Sequence, residues 1–557
     1  MRSVSATLGS LAAAVLVAGA AWADNVLVVV QVDAHADRRA INPFIYGVAF
    51  ANTSILQDLN APTQRWGGNY TSRYNWQQNA DNRGADWYFE SVPEDSAAQA
   101  GVVDEVISQS KAAGAQALIT VPMVDWIARL GTNRIKLASF SQTKYGPQTD
   151  ADWSWFPDAG NGVLASTGKE ITGNDPNDAN VPNSPALQAA FAQHLVSQWG
   201  TAANGGLRYY LMDNEHSLWS STHRDVAPVG ATMEQIRQKM IDYGLVIKAA
   251  DAGAKIVGPE EWGWLGMLYS GYDQQYAGAH GWTTFPDRAA HGNQDYLPWL
   301  LDQLHQYETD HGQRLLDVFS VHYYPQGGEY SDDVSNAMQL RRNRSTRSLW
   351  DPNYTDETWV NAKVTLIPRI RQWVTSYYPG LQTGVTEYNW GAENHINGAT
   401  AQADVLGIFG REGLDFGSRW TTPAASTPTY KAMKMYRNYD GNHSTFGDTS
   451  VRAAVPDPDQ LSAFAAVRAS DGALTVMVVN KVLSGNTPLQ LGLANFSVAG
   501  RAQVWQLSAT NSIQHLTDLA LSGGTLNASL PPQSVTLFVV PAASKASLEW
   551  LQLLLLD

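Results

Sequence analysis

The stretch Arg208-Tyr-Tyr-Leu-Met-Asp-Asn-Glu215 runs aromatic and apolar until it ends on a carboxylate. A second stretch, Gly384-Val-Thr-Glu387-Tyr-Asn-Trp390, likewise carries a short buried-type run into a Glu and a Trp. Such runs mark strands buried on both faces, as in a parallel sheet, and the C-terminal end of a barrel strand is where that architecture places its chemistry. Glu215 and Glu387 therefore read as two acids opening onto one catalytic face, in the manner of a glycosidase pair.

Working outward, the same strand character recurs at Phe44 to Phe50, Thr63 to Trp66, Ala117 to Pro122 and Leu207 to Met212. It continues at Lys255 to Gly258, Val318 to His322, Thr383 to Thr386 and Leu414 to Gly417. Between these runs, apolar residues recur at three and four positions over Asp95 to Ala113, Pro185 to Trp199, Thr232 to Ala252, Asn293 to His311, Asp356 to Tyr377 and Thr400 to Arg411. Eight alternations of strand and helix predict an α/β fold, a (β/α)8 barrel with long loops over residues 43–442.

The pattern then changes to short alternating runs separated by Gly, Asn and Pro turns, among them Leu461 to Val467, Ala473 to Val479, Arg501 to Leu507 and Ser534 to Val540. Period-two alternation of this kind predicts a C-terminal antiparallel β-sandwich over residues 443–541. The strand-like run Asn25 to Val32, within 24–42, is expected to pair into that sandwich. No Pro- or Ser-rich linker separates the two parts, so rigid packing is expected.

At the start of the chain, Met1-Arg2, the uncharged Leu8 to Ala20 and Ala21-Trp-Ala23 follow the pattern of a cleaved signal peptide over 1–23, too short for a membrane anchor. The expectation is a secreted protein, extracellular or periplasmic. Residues 542–557, with Ser547 to Asp557 among them, have no evident role. The absence of Cys in 557 residues rules out thiol catalysis, disulfides and Cys-bound zinc. A net charge of -15 argues against nucleic acid or an anionic membrane as partner. There is no Gly-x-Ser-x-Gly and no His-Glu-x-x-His, so serine-esterase and zinc-peptidase chemistry lack support.

Several longer motifs sharpen the reading: Met212-Asp-Asn-Glu-His-Ser-Leu-Trp219, Arg65-Trp-Gly-Gly-Asn69, Gly258-Pro-Glu-Glu-Trp262, Asp317-Val-Phe-Ser-Val-His-Tyr-Tyr-Pro325, Thr386-Glu-Tyr-Asn389 and Ser418-Arg-Trp420. Together they resemble glycoside hydrolase family 44, in the large clan of retaining barrel glycosidases. The resemblance spans barrel and sandwich. It implies a β-1,4-linked polysaccharide as partner, an endoglucanase or xyloglucanase activity extending in some members to xylan or mannan, Glu215 as acid/base and Glu387 as nucleophile. It also implies that Asn214 binds the sugar 2-hydroxyl. One departure is His216, where the family pattern usually has Pro. That residue can hydrogen-bond or titrate, which touches local pH behaviour rather than the role of Glu215.

Retaining hydrolysis uses one protonated and one ionised carboxyl about 5 to 5.5 Å apart. Arg65 offers a planar donor fork suited to Glu387, with a structural ion pair to another barrel acid as the alternative. Tyr324 shares the face of His322 and can donate to the nucleophile. His322 either meets substrate or satisfies a backbone carbonyl, and Glu260 and Glu261 either bind hydroxyls or shape the acid's surroundings. Flat C–H faces of a β-glucosyl ring pack on aromatics. Trp420 is the first candidate platform, with Trp66, Asn69, Trp126, Trp219, Trp262, Trp264 and Trp390 along the groove. Catalysis needs no cofactor. A structural calcium, seen in the resembled family, has candidate ligands in Asp150 and Asp152, while the loop from Asn174 to Asp178 reads as turn formers. Other readings of the chain are a barrel xylanase or mannanase with the same pair, or a non-catalytic carbohydrate-binding protein. With no binding module after the sandwich, soluble or amorphous polysaccharide is the expected form of substrate.

Overall fold

The computed structural model describes residues 24–543; the leader reading of 1–23 and the tail from 544 onward lie outside the described residues. Eight parallel strands close into a barrel: β1 (Gly47–Ala49), β2 (Thr63–Trp66), β3 (Gln116–Val121), β4 (Tyr209–Met212), β5 (Lys255–Glu261), β6 (Val318–Tyr323), β7 (Gln382–Tyr388) and β8 (Phe416–Arg419). Each falls on a run expected to be a strand. The barrel closes where β8 pairs with β1, Ser418 opposite Gly47 and Arg419 opposite Val48. Gly47 is required there, because a Cβ would lie 2.1 Å from Thr63 Oγ1 and 2.6 Å from the Gly417 carbonyl oxygen.

The helices follow local signals. Ser184 caps Pro185–Trp199 by accepting the Leu187 N–H, and Pro185 occupies the first position, where a missing N–H costs nothing. Two expected starts were too early. The helix expected from Asp95 begins at Gly101, and that expected from Asp356 begins at Leu366. Asp356 instead accepts the Thr358 N–H at 3.0 Å, a local bond that competes with helix formation. The helix Thr53–Leu59 after β1 is too short to show a periodicity in sequence, and Pro428–Arg437 follows β8.

Inside the barrel, side chains alternate between axis and helix layer. Toward the N-terminal end Leu118, Tyr209, Leu211, Val257, Val318 and Phe416 fill the axis, with Phe44 as a plug packed 5.3 Å from Phe416 and 6.0 Å from Tyr209. Toward the other end the axis becomes charged, and that is where the site lies.

The C-terminal strands form one continuous path. In spatial order it runs Ile513–Ala520, Arg501–Leu507, Ser534–Val540, Leu474–Asn480, Leu461–Val467, Thr449–Ala454, Val28–Asp33, Thr487–Ala494 and Thr525–Leu530. The path curls so that Val30, Leu461, Val476, Leu491, Val504, Leu526 and Phe538 share one core. Val28–Asp33 pairs antiparallel with Thr449–Ala454 but parallel with Thr487–Ala494, the single parallel pairing in an otherwise antiparallel sheet of the described residues.

Leu461–Val467 and Leu474–Asn480 are buried on both faces. Leu461 and Val476 face the sandwich core, whereas Phe464, Ala466 and Met477 join the barrel's core. Between the two lies the helix Ile396–Glu412, buried from Ile396 to Gly410, with Gly407 set so close to Phe464 that a Cβ would lie 2.1 Å from its ring. A buried ion pair, Lys481 Nζ to Asp404 at 2.6 Å, spans the same seam. A cavity of about 550 Å3 in this crease is lined by Arg38, Arg347, Trp350, Asp404, Arg411 and Lys481. Many of its charges pair with one another, so it reads as part of the domain seam and not of the catalytic chemistry.

Candidate active site

Two irregularities at the C-terminal ends of β5 and β7 set the site. Between β5 and β6, Pro259 pairs with Ser320 but Glu261 pairs with Val321, leaving Glu260 as the extra residue with φ +60°. Between β6 and β7, Val321 pairs with Val385 but His322 pairs with Glu387, leaving Thr386 extra. A bulge of this kind re-aims side chains. On β7 it turns both Thr386 and Glu387 to the axis and sends Tyr388 outward, where its hydroxyl accepts a hydrogen bond from Gln402 at 3.0 Å.

After β4 the chain turns through Asp213 and Glu215, both with positive φ (63° and 44°). Non-glycine residues pay for this conformation with strain, which tends to persist where surrounding contacts over-determine it. Those contacts are present. Asp213 accepts the N–H groups of Met123 and Val124, and the Glu215 N–H donates to the Glu260 carbonyl at 2.9 Å.

Arg65 lies fully buried at the end of β2 and ties the acids together. Its Nη1 donates to Glu387 Oε1 at 2.6 Å, its Nη2 to Asn214 Oδ1 at 3.0 Å and to Glu260 Oε2 at 3.1 Å, and its Nε to the same Glu260 oxygen at 3.2 Å. Tyr324 Oη donates to Glu387 Oε2 at 2.8 Å. His322 Nδ1 lies 2.9 Å from Glu215 Oε1, and its Nε2 lies 3.3 Å from Glu260 Oε2. Glu260 Oε1 accepts from Ser320 and from Thr386 Oγ1, the latter at 2.8 Å. Oxygens of Glu215 and Glu387 and a ring nitrogen of His322 all lie within 4.8 Å of one another.

The charges balance around Glu260. Burial alone would raise its pKa, but the His322 hydrogen bond and the Arg65 charge pull it down to about 2. Burial works against a charged His322, yet Glu387 and the bonds to Glu215 and Glu260 raise its pKa to about 9. A doubly protonated imidazole can donate to both carboxyls, and its Nε2, only 3.2 Å from Arg65 Nη2, is separated electrostatically from that cation by the shared Glu260 oxygen. Glu215 is shifted upward by burial, with the Glu387 charge adding to it and His322 and Arg65 opposing. Glu261 lies apart, accepting from the N–H and Oγ of Ser217 at 3.1 and 2.7 Å, and burial raises its pKa to about 8. His216 is buried and held neutral, its pKa lowered to about 4 chiefly by desolvation. Its Nε2 lies 2.9 Å from the Met212 carbonyl oxygen and its ring packs against Trp219.

An open cleft of about 410 Å3 runs over these groups, lined by Asn69, Tyr70, Asn214, Glu215, Trp262, Tyr324, Glu387 and Trp420 among others. Trp420 lies beside Arg65, 5.8 Å from guanidinium carbon to ring centroid, and presses on Gly68, where a Cβ would fall 2.5 Å from the indole. Asn69 accepts from Asn214 at 3.1 Å and donates to Asp86 at 3.1 Å.

Several expected platforms lie elsewhere. Trp66 is 1% exposed and packs 4.9 Å from Tyr74, because alternation with the inward Arg65 sends it into the helix layer. Trp390 is buried, bonding Ser345 Oγ at 3.0 Å. Trp219 is buried and donates to the Asn214 carbonyl at 3.1 Å, so it braces the acid's turn instead of meeting sugar. Trp126 begins a two-stranded ladder with Asn180–Pro182 outside the cleft lining, and Trp264 stacks under Arg369 at 5.1 Å. Asp150 accepts the Tyr88 hydroxyl at 3.0 Å, and Asp152 accepts the N–H groups of Ser154 and Trp155 at 3.3 and 3.2 Å. Both carboxylates brace a hairpin through N–H and O–H donors. Sequence reading left Glu260 undecided between two uses and did not single out Ser320 or Thr386. The alternation of β6 places Ser320 on the face of His322, which was an available signal.

A closed parallel barrel with two acids at the ends of β4 and β7, facing one open cleft, defines a barrel glycoside hydrolase. The model of glycoside hydrolase family 44 matches residues 80–327. Endoglucanase A of Paenibacillus lautus is 31% identical over 542 residues, spanning 92% of this chain and 72% of that protein. The chain belongs to glycoside hydrolase family 44. Among solved structures, CelM2, a bifunctional glucanase-xylanase from a metagenome library, is 66% identical with a TM-score of 0.92, covering 93% of this chain and 99% of CelM2. A family 44 xyloglucanase of Paenibacillus polymyxa, solved with xyloglucan, is 29% identical with a TM-score of 0.77, covering 93% of this chain and all (100%) of that one.

Proposed function

We propose that this enzyme is a secreted, retaining endo-β-1,4-glycanase that cleaves glucan and xyloglucan chains, and xylan as a further substrate. The observation that carries the reading is the approach of Glu215 and Glu387 oxygens to within 4.8 Å across an open cleft, a spacing that suits direct attack and leaves no room for an interposed water. Glu215, shifted upward, protonates the glycosidic oxygen as the bond to the anomeric carbon breaks. Glu387, oriented by Arg65 and Tyr324, attacks that carbon and forms a glycosyl ester. Esterification removes the Glu387 charge, which lets Glu215 ionise more readily and take the proton from the incoming water. Asn214, fixed by Arg65 and Asn69, is placed to meet the sugar 2-hydroxyl. The glucanase-xylanase and xyloglucanase relatives support this range of backbones, and the residues 1–23 pattern supports export.

Product analysis on carboxymethylcellulose, xyloglucan and xylan tests the reading. The expected result is a rapid viscosity fall with a ladder of oligomers whose new reducing ends retain the β configuration by NMR. Inverted products, or monomer release without loss of viscosity, would overturn it. Glu387→Ala should abolish turnover on every glycoside, whereas Glu215→Ala should keep attack on substrates with activated leaving groups and recover with azide.

A further inference from the structure

The turn that carries Glu215 hangs from β5 by two consecutive residues. Glu260 holds it through its carbonyl oxygen, which accepts the Glu215 N–H at 2.9 Å. Glu261 holds it through its carboxyl: Oε1 accepts the Ser217 N–H at 3.1 Å, and Oε2 lies 2.7 Å from Ser217 Oγ. A histidine at 216 leaves the backbone φ free where a proline would fix it, and Glu215 itself sits at φ +44°. Local preference therefore does not select this turn, and contacts from the neighbouring strand must hold it.

Burying a carboxyl is costly unless its hydrogen bonds are made inside the protein. Glu261 is fully buried, and Ser217 is its side chain's only hydrogen-bond partner among the described residues, since His216 Nδ1, at 3.9 Å, is out of reach. The surroundings are shaped to this contact. Gly266, on the helix Gly263–Leu268, passes so close that a Cβ there would lie 2.7 Å from Glu261 Oε2 and 3.1 Å from Ser217 Oγ. Gly271, which starts the helix Gly271–Ala279, would place a Cβ 3.1 Å from Ser217 Cα. With burial raising its pKa to about 8, Glu261 is an uncharged acid at neutral pH, and its Oε2 bond can run in either direction because both partners then carry a hydroxyl. A glutamine amide offers the same two functions, an acceptor for the Ser217 N–H and a donor for Ser217 Oγ.

We propose that Glu261 is a positioning residue for the acid/base: through Ser217 it fixes the turn that aims the Glu215 carboxyl at the glycosidic oxygen, without itself touching substrate. The proposal rests on the acid/base reading of Glu215 above and adds the residue that holds it in place. Its test is kcat/KM of Ser217→Ala, Glu261→Met and Glu261→Gln on two aryl β-cellotetraosides, one with a dinitrophenolate leaving group that needs no proton and one with a phenolate that does. A misaimed acid slows only the second. Glu261→Met should lose about 30- to 100-fold on the phenyl substrate and less than about threefold on the dinitrophenyl one. Ser217→Ala, which removes one of the two bonds, should lose about tenfold on the phenyl substrate alone. Glu261→Gln, keeping both bonds, should stay within about threefold of wild type on each. Should Glu261→Met fail to fold, Ser217→Ala decides, because it leaves the backbone N–H bond in place. An equal loss on both substrates, the mark of a packing role, would overturn the proposal. So would phenyl-substrate values within about twofold of wild type in Ser217→Ala, or a fall in Glu261→Gln as deep as that in Glu261→Met. Glu215→Ala is the control: if that variant shows no difference between the two leaving groups, the acid/base assignment itself fails, a result separate from the other three variants.

Discussion

Replacing Glu260 by Gln keeps the side-chain shape and removes one charge at the point where Arg65 and His322 converge, 3.1 and 3.3 Å from a single oxygen. In the folded protein burial works to raise the Glu260 pKa, yet the two cations and the Ser320 bond hold it at about 2 against 4.5 for the free side chain. A carboxylate depressed this far contributes ~3 kcal/mol to stability at neutral pH. Because the folded pKa lies below the unfolded one, the contribution is complete above about pH 4.5 and is lost as pH falls toward 2. Leaving two buried cations short of a partner is expected to cost a similar amount, about 3–5 kcal/mol. Urea unfolding of wild type and Glu260→Gln at pH 7, 5 and 3 should therefore show a gap of ~3 kcal/mol that narrows on acidification. The kcat/KM should fall as well, since Arg65 loses the brace that aims it at Glu387. A gap under ~1 kcal/mol at pH 7, or one that stays constant down to pH 3, would refute the assignment of Glu260 as the electrostatic anchor.

Tyr324→Phe removes the 2.8 Å bond to Glu387 and should lower kcat/KM by about ten- to a hundredfold with little change in thermal midpoint, from the ~1.5–3 kcal/mol of a bond to a charged group. Glu261→Gln should behave oppositely to Glu260→Gln. Burial raises the Glu261 pKa to about 8, so ionising it costs stability as pH climbs from about 4.5 toward 8, and the variant should gain on wild type in unfolding experiments between pH 5 and 9. Lys481→Met strands Asp404, which also accepts from Thr346 at 2.7 Å, and should destabilise the protein by about 3–5 kcal/mol in denaturant titrations, with the sandwich and barrel unfolding less cooperatively.

The barrel was legible because parallel strands buried on both faces leave continuous apolar runs, and each of the eight runs proved to be a strand. The sandwich strands were legible for the opposite reason, their alternation, even though Leu461–Val467 and Leu474–Asn480 alternate between two apolar cores and not between core and water. Helix starts were less legible at Asp95 and Asp356, where polar residues satisfy backbone groups locally and delay the first turn. Arg65, Asn214, Tyr324 and His322 were read as a set, and in the structure Arg65 and Tyr324 bond Glu387, His322 bonds Glu215, and Asn214 joins them through Arg65. The Trp candidates divided by strand phase. Trp420 faces the cleft, whereas Trp66 and Trp390 turn outward into the helix layer.

From the order of residues alone came the two-part architecture, the pair of acids and the chemistry they share, since these depend on local burial pattern and on which side chain ends each strand. What required the folded chain was which way the acids face. Simple alternation along β7 would bury Glu387 among the helices, and nothing local to Gly384-Val-Thr-Glu387 reveals the extra residue that turns it to the axis. Glu260 and Glu261 are chemically identical in sequence. The offset between β5 and β6 makes one an ionised anchor and the other a buried acid with a pKa near 8, because a strand's register is set by its neighbours and a slip of one residue exchanges its two faces.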